Sequence, residues 1–170
     1  MTLGSTSATR HKWYIGVLGQ HAPEEPILSF AYEIGRAIAK RGGILLCGGL
    51  GGVMEAACRG AKEAGGVTIG ILPGYSPNDA NPFVDFAIAT GLGEARNFVL
   101  VTASSALIAC GGQAGTLSEI ALALRLGKVL AGVYTWTITD HRGRKDFFPS
   151  FSDPEEAVEY VFAELQGTLR

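Results

Sequence analysis

Short apolar runs alternate along the chain with stretches of helical periodicity. Residues 13–19, 44–47, 67–73, 83–90, 106–110 and 128–136 are apolar runs of strand length. Between the first two, Phe30, Ile34, Ala37 and Ile38 recur at i, i+4, i+7 and i+8, which predicts a helix ending at Gly42-Gly43. The next helix places Val53, Ala56, Ala57, Gly60, Ala61 and Ala64 on one narrow face and stops at Gly65-Gly66. A helix with a face made almost wholly of Ala and Gly has to pack very close to the sheet. A third helix, in "GEARNFVLVTAS", aligns Ala95, Phe98, Val99 and Thr102, and a fourth occupies "TLSEIALALRLG". Asp153-Pro154 reads as an N-cap followed by a proline at the first helical position, opening a last helix to about Leu165.

Strands alternating with helices signal βαβ units and a parallel sheet, hence a single three-layer α/β domain over residues 12–170. "GYSPNDANP" is a Pro- and Gly-rich loop just past a strand end, where ligand-contacting loops sit. The periodicity lapses in "TITDHRGRKDFFPS", which reads as a surface excursion. Residues 1–11 are small and polar and are expected to form a disordered tail.

Composition narrows the function more than the fold. Glycine is the outlier, 24 of 170 residues, about twice its usual ~7% share. The glycines close apolar runs and follow no short repeat, so they belong to turns. A net charge of −2 with no basic stripe argues against nucleic acid as a partner. The apolar runs are too short and too broken by glycine to span a bilayer, and no apolar signal segment opens the chain. Cys47, Cys58 and Cys110 share no metal-ligand spacing and read as small buried hydrophobes in a reducing cytosol. No metal site and no Ser-His-Asp arrangement is evident.

Candidate chemistry gathers at two glycine clusters, each following a strand and opening a helix: Gly48, Gly49, Gly51 and Gly52, then Gly111, Gly112 and Gly115. In a parallel sheet both lie at the carboxyl edge, where glycine admits a ligand close to the backbone and the helix's first N–H groups face it. Neither cluster is GxGxxG or GxxxxGK[ST], and no acidic residue closes the third strand to hold a ribose. A binder of the NAD type and a P-loop are therefore both disfavoured.

Thr116-Leu117-Ser118-Glu119 matches a capping box, in which the glutamate folds back on the cap residue. The same residues also suit a phosphate cradle, with the Thr116 hydroxyl on the anion and Glu119 one turn inside the helix. Arg96 is the only cation near the start of its helix, either solvated or turned into the cleft. Of the histidines, only His21 sits near a strand end.

"GGLGGVMEAACRGAKEAGG", "GLGEARN" and "GGQAGTLSEIALALRLGK" occur in this order and spacing. Together they resemble the superfamily that joins molybdenum cofactor carrier proteins to the Lonely Guy phosphoribohydrolases, many of them once labelled lysine decarboxylases. The resemblance covers roughly residues 13–135, and "GLGEARN" looks more like the carrier branch. It implies a Rossmann-like fold, a homodimer or higher homo-oligomer in the cytoplasm, and a phosphate-bearing ligand, the molybdenum cofactor or a nucleotide.

In the hydrolases an Arg and the Glu of PGGxGTxxE act at the N-glycosidic bond of a nucleoside monophosphate; these match Arg96 and Glu119, catalytic only if the chain is a hydrolase. Gly111 stands where that pattern has proline, Gln113 where it has its second glycine, and Asn97 where a lysine follows the arginine. The ligand-binding set is then Gly48, Gly49, Gly51, Gly52, Arg96, Gly111, Gly112, Gln113, Gly115 and Thr116. Lysine decarboxylation needs a Schiff-base lysine in a pyridoxal phosphate site, and none of the five lysines follows such a motif.

Overall fold

The computed structural model describes residues 13–145 and 147–167. The expected tail, 1–11, lies outside the described residues. Seven strands form one parallel sheet in the order β4-β3-β2-β1-β5-β6-β7. They are β1 (Tyr14–Leu18), β2 (Ile44–Cys47), β3 (Val67–Leu72), β4 (Phe86–Ala89), β5 (Ala106–Cys110), β6 (Val129–Val133) and β7 (Ser150–Phe151). Five α-helices cover it: α1 (Ile27–Lys40), α2 (Val53–Glu63), α3 (Arg96–Ala103), α4 (Ala114–Arg125) and α5 (Pro154–Gly167). This is the expected single-domain, Rossmann-like α/β fold.

Alternate residues of the strands face two cores. On one side Ile15, Val17, Leu45, Cys47 and Ile108 pack with Ile34, Ala57 and Val158 from α1, α2 and α5. On the other, Leu18, Leu46, Leu107 and Leu130 meet Leu100 and Val101 of α3 and Ile120 and Ala123 of α4. The chain adds β2, β3 and β4 on one side of β1, then returns to lay β5 on its other side, pairing Ile15 with Ala106 through Leu18 with Ala109. The two strands therefore part company at their carboxyl ends, and a crevice opens there, as in other open α/β sheets.

The small-residue face of α2 packs closely, but chiefly against α1 rather than against the sheet as expected. A Cβ at Gly60 would collide with the Tyr32 carbonyl of α1, and one at Gly35 of α1 with the Ala57 carbonyl of α2. The two backbones touch where their side chains are missing.

Three local expectations need correcting. The strand predicted over 83–90 is shorter, because Phe83 and Asp85 instead tie down Thr68 of β3: its hydroxyl donates to the Phe83 carbonyl at 2.6 Å, and the Asp85 carboxylate accepts its N–H at 3.0 Å. Helix α3 buries Leu100 and Val101, whereas Phe98 is 52% exposed and Thr102 faces solvent. Of that alignment Ala95, Phe98 and Thr102 lie on the outer side, and only Val99 packs against the core. Within the irregular stretch, Ser150 and Phe151 add a short edge strand parallel to β6. The last helix starts as expected, with the Asp153 carboxylate accepting the Glu155 N–H at 2.8 Å.

Gly60→Ala should lower unfolding free energy by about 2 kcal/mol in urea titrations, because overpacking against a backbone outweighs alanine's better helix propensity of ~1 kcal/mol. Gly167 in the last helix, where a Cβ would meet nothing and φ is not positive, is the control for packing.

Candidate functional site

The crevice between β1 and β5 is a cleft of about 320 Å³. Gly19, Gln20 and His21 from the end of β1 line it, as do Gln113, Gly115, Thr116 and Glu119 from α4 and Arg96 and Asn97 from α3. The structure thus brings Arg96, Gln113, Gly115, Thr116 and Glu119 into one wall.

Helix α4 begins three residues earlier than the capping-box pattern, with its cap at Thr116, implies. Gln113 is the N-cap, in extended conformation, and no side chain caps the helix. Thr116 lies inside the first turn and Glu119 nearly a turn further, so the capping box is not formed. Glu119 cannot fold back over a helix start it does not adjoin; it is buried instead. The helix start is left open to the cleft with its partial positive charge. A Cβ at Gly115 would meet no protein atom within 4 Å, so the fold itself has no packing need for glycine here.

Gly111 and Gly112 shape the approach to this helix, both with positive φ (63° and 134°). Two residues outside the sequence motifs hold them. The Gln20 side-chain oxygen accepts the Gly112 N–H at 3.0 Å, and the Gln20 backbone carbonyl accepts the Val53 N–H at 3.1 Å. One residue therefore ties the start of α2 to the loop before α4. From the segment after β6, Thr135 donates its hydroxyl to the Gly111 carbonyl, and Trp136 donates its indole N–H to the Gln113 carbonyl at 3.3 Å. A polar residue directly after the first strand was the signal available for Gln20; nothing local marked Thr135 or Trp136.

The first glycine cluster acts differently. A Cβ at Gly48 would strike the Arg96 guanidinium, and one at Gly52 the His21 carbonyl, so these glycines give clearance to the cleft's other walls. Gly49 abuts Gly70 and Leu72 of β3, and Gly51 lies under the His21 ring.

Arg96 reaches across the space that Gly48 leaves and donates to the Ile71 carbonyl at 2.6 Å. Its Nε is buried and without a partner among the described residues. Burial lowers its pKa, while Glu119 and Cys47 nearby oppose that shift. Glu119 is 7% exposed, and burial pushes its carboxyl up to about 7 against the pull of Arg96. A buried carboxyl near neutrality can be uncharged beside an anion, which removes the usual objection to a glutamate in a phosphate site. All three cysteines are free and buried, with the Cys47 and Cys58 sulfurs 3.4 Å apart beneath the first glycine cluster.

Between the ordinary carboxylate value of 4.5 and about 7, the folded chain holds a proton on Glu119 that the unfolded chain releases. Stability should therefore fall as pH rises through that window, by roughly 3 kcal/mol at about 1.4 kcal/mol per unit. Urea midpoints at pH 5 and pH 8 measure this. Glu119→Gln should lose most of the pH dependence and be the more stable protein at pH 8.

Comparison with known proteins agrees with this architecture. Residues 12–160 match the SLOG cluster4 family, to which the chain belongs. An uncharacterized protein of Archaeoglobus fulgidus is 44% identical over 149 residues, spanning 88% of this chain and 94% of that one. Among solved structures, the molybdenum cofactor binding protein of the phototrophic bacterium Rippkaea orientalis superposes with a TM-score of 0.83 at 39% identity, covering 93% of this chain and 99% of that one. The molybdenum cofactor carrier protein of Chlamydomonas reinhardtii gives 0.81 at 37% identity, covering 92% and 99%.

Proposed function

We propose that this member of the SLOG cluster4 family is a carrier that holds a phosphate-terminated small molecule in the β1–β5 crevice, the molybdenum cofactor being its cargo. The observation that carries this reading is the start of α4: an uncapped first turn with open space over Gly115. A phosphate there accepts N–H groups of that turn and the Thr116 hydroxyl, which has no partner among the described residues. The helix dipole contributes ~0.3–1 kcal/mol at an exposed site, and each hydrogen bond to the charged oxygens ~1.5–3 kcal/mol. Arg96 offers an unpartnered Nε as counter-charge. The two structural neighbours described as binding or carrying the molybdenum cofactor support the choice of cargo.

Gln113 and Asn97 add amide groups to the cleft wall, where the hydrolase pattern has glycine and lysine. The carrier reading includes a homo-oligomer: Leu92 and Phe98, both about half exposed, flank the cleft on its α3 side and offer an apolar contact. Glu119 favours a second reading, hydrolysis of a nucleoside 5′-monophosphate to free base and ribose 5-phosphate. A carboxyl at about 7 is poised for proton transfer, and an oxocarbenium-like transition state suits an adjacent carboxylate.

Titration with molybdopterin, followed by tryptophan fluorescence, tests the carrier. Micromolar or tighter binding is expected, weakened roughly tenfold or more in Thr116→Val, which keeps the side chain's shape and removes its hydroxyl. Binding that ignores Thr116→Val would sink the phosphate assignment. Incubation with AMP separates the second reading: released adenine that disappears in Glu119→Gln establishes the hydrolase.

A further inference from the structure

The cleft does not end at His21. The same residue walls a second, larger cavity of about 500 Å³ between the starts of α1 and α2, within the usual range for small-molecule sites. Leu28 and Phe83 supply apolar surface in it. Most of its charged groups are already engaged. The Arg59 guanidinium lies over the Tyr32 ring at 5.3 Å, and the Tyr32 hydroxyl donates to Glu63. One Glu25 oxygen accepts the Ser29 N–H at 3.3 Å.

Glu55 is different. It is half-buried, lies in the first turn of α2 and has no partner among the described residues. Its Oε2 is 3.7 Å from where a Gly51 Cβ would stand, and the His21 ring is nearer still to that point. Glu55 therefore lines the second cavity close to His21, the residue that both cavities share. The pair is polar in one sense: an anion-accepting helix start with Arg96 at one end, an unpaired carboxylate at the other.

We infer that the cavity beside His21 receives the ring end of the ligand, and that Glu55 selects a ring bearing a 2-amino-4-oxo pyrimidine edge, as in guanine or a pterin. This rests on the phosphate reading of the α4 start. Such an edge offers two parallel N–H donors, which two carboxylate oxygens accept together. Adenine presents an unprotonated ring nitrogen at the corresponding place, and a carboxylate opposite it has no donor to accept. A carboxylate that pairs with such an edge discriminates against analogues that cannot donate to it.

Equilibrium binding of GMP, AMP and inorganic pyrophosphate to the full chain tests the assignment. GMP should bind at least tenfold more tightly than AMP. Glu55→Gln should bring the two within about threefold by weakening GMP alone, with pyrophosphate unchanged. Glu25→Gln should leave the preference intact. Equal affinities in the unaltered protein, or a GMP preference that survives Glu55→Gln or vanishes in Glu25→Gln, overturn the role of Glu55. If equal affinities are also lost in Thr116→Val, the phosphate reading stands and only the ring subsite fails. If none of the three ligands binds, both fail together.

Discussion

The parallel pairing of β1 with β5 is the contact on which the rest of this molecule depends. Up to β4 every new strand is added on one side of β1; β5 must return past three strands to reach the other side. Adjacent strands whose connections leave in opposite directions cannot have their ends covered by one crossover, so a crevice is a geometric consequence of the strand order. Arg96, Gln113, Gly115, Thr116 and Glu119 converge there. The segment after β1 brings Gln20 and His21, the segment after β5 brings the α4 start, and α3 supplies Arg96 from beneath.

What makes the crevice more than a gap is how little of its polarity the fold itself consumes. Helix starts are normally capped, and buried cations are normally saturated with hydrogen bonds. Here α4 has no side-chain cap and Arg96 keeps a buried N–H without a partner. Burial also keeps Glu119 close to its titration point. These features cost stability unless something else satisfies them, and they sit within one small cleft. The glycines on the other side of the crevice complete the arrangement by absence: Gly48 leaves the volume that the Arg96 head occupies.

Much of this was legible before the structure. Periodicity located every α-helix, and four of the six expected strands to within a residue at either end, because apolar runs in a parallel sheet are buried on both faces. The runs at 83–90 and 128–136 shorten to Phe86–Ala89 and Val129–Val133. The failures are physically instructive. In α3 the aligned residues Ala95, Phe98 and Thr102 turned outward, because the helix meets its core through Leu100 and Val101, and moderate apolarity all round gives a weak directional signal. The capping-box pattern at Thr116 was overridden because Gln113 could take the extended cap position three residues before the cap that the sequence pattern expects. Strand β7 has two residues and owes its existence to the edge of β6, which no local pattern could announce.

The sequence by itself determined the α/β alternation, the two glycine-opened helices and the identity of Arg96, Gln113, Gly115, Thr116 and Glu119 as neighbours-in-waiting. These follow from local rules of turn, cap and periodicity. Only the tertiary structure decided which glycines open space and which merely give clearance. It alone revealed Gln20 as the tie between the two loops, since its partners Val53 and Gly112 lie 33 and 92 residues away. The state of Glu119 was likewise beyond the sequence. Its proton affinity comes from the water excluded by α3, α4 and the sheet together, and desolvation is a property of the packed assembly.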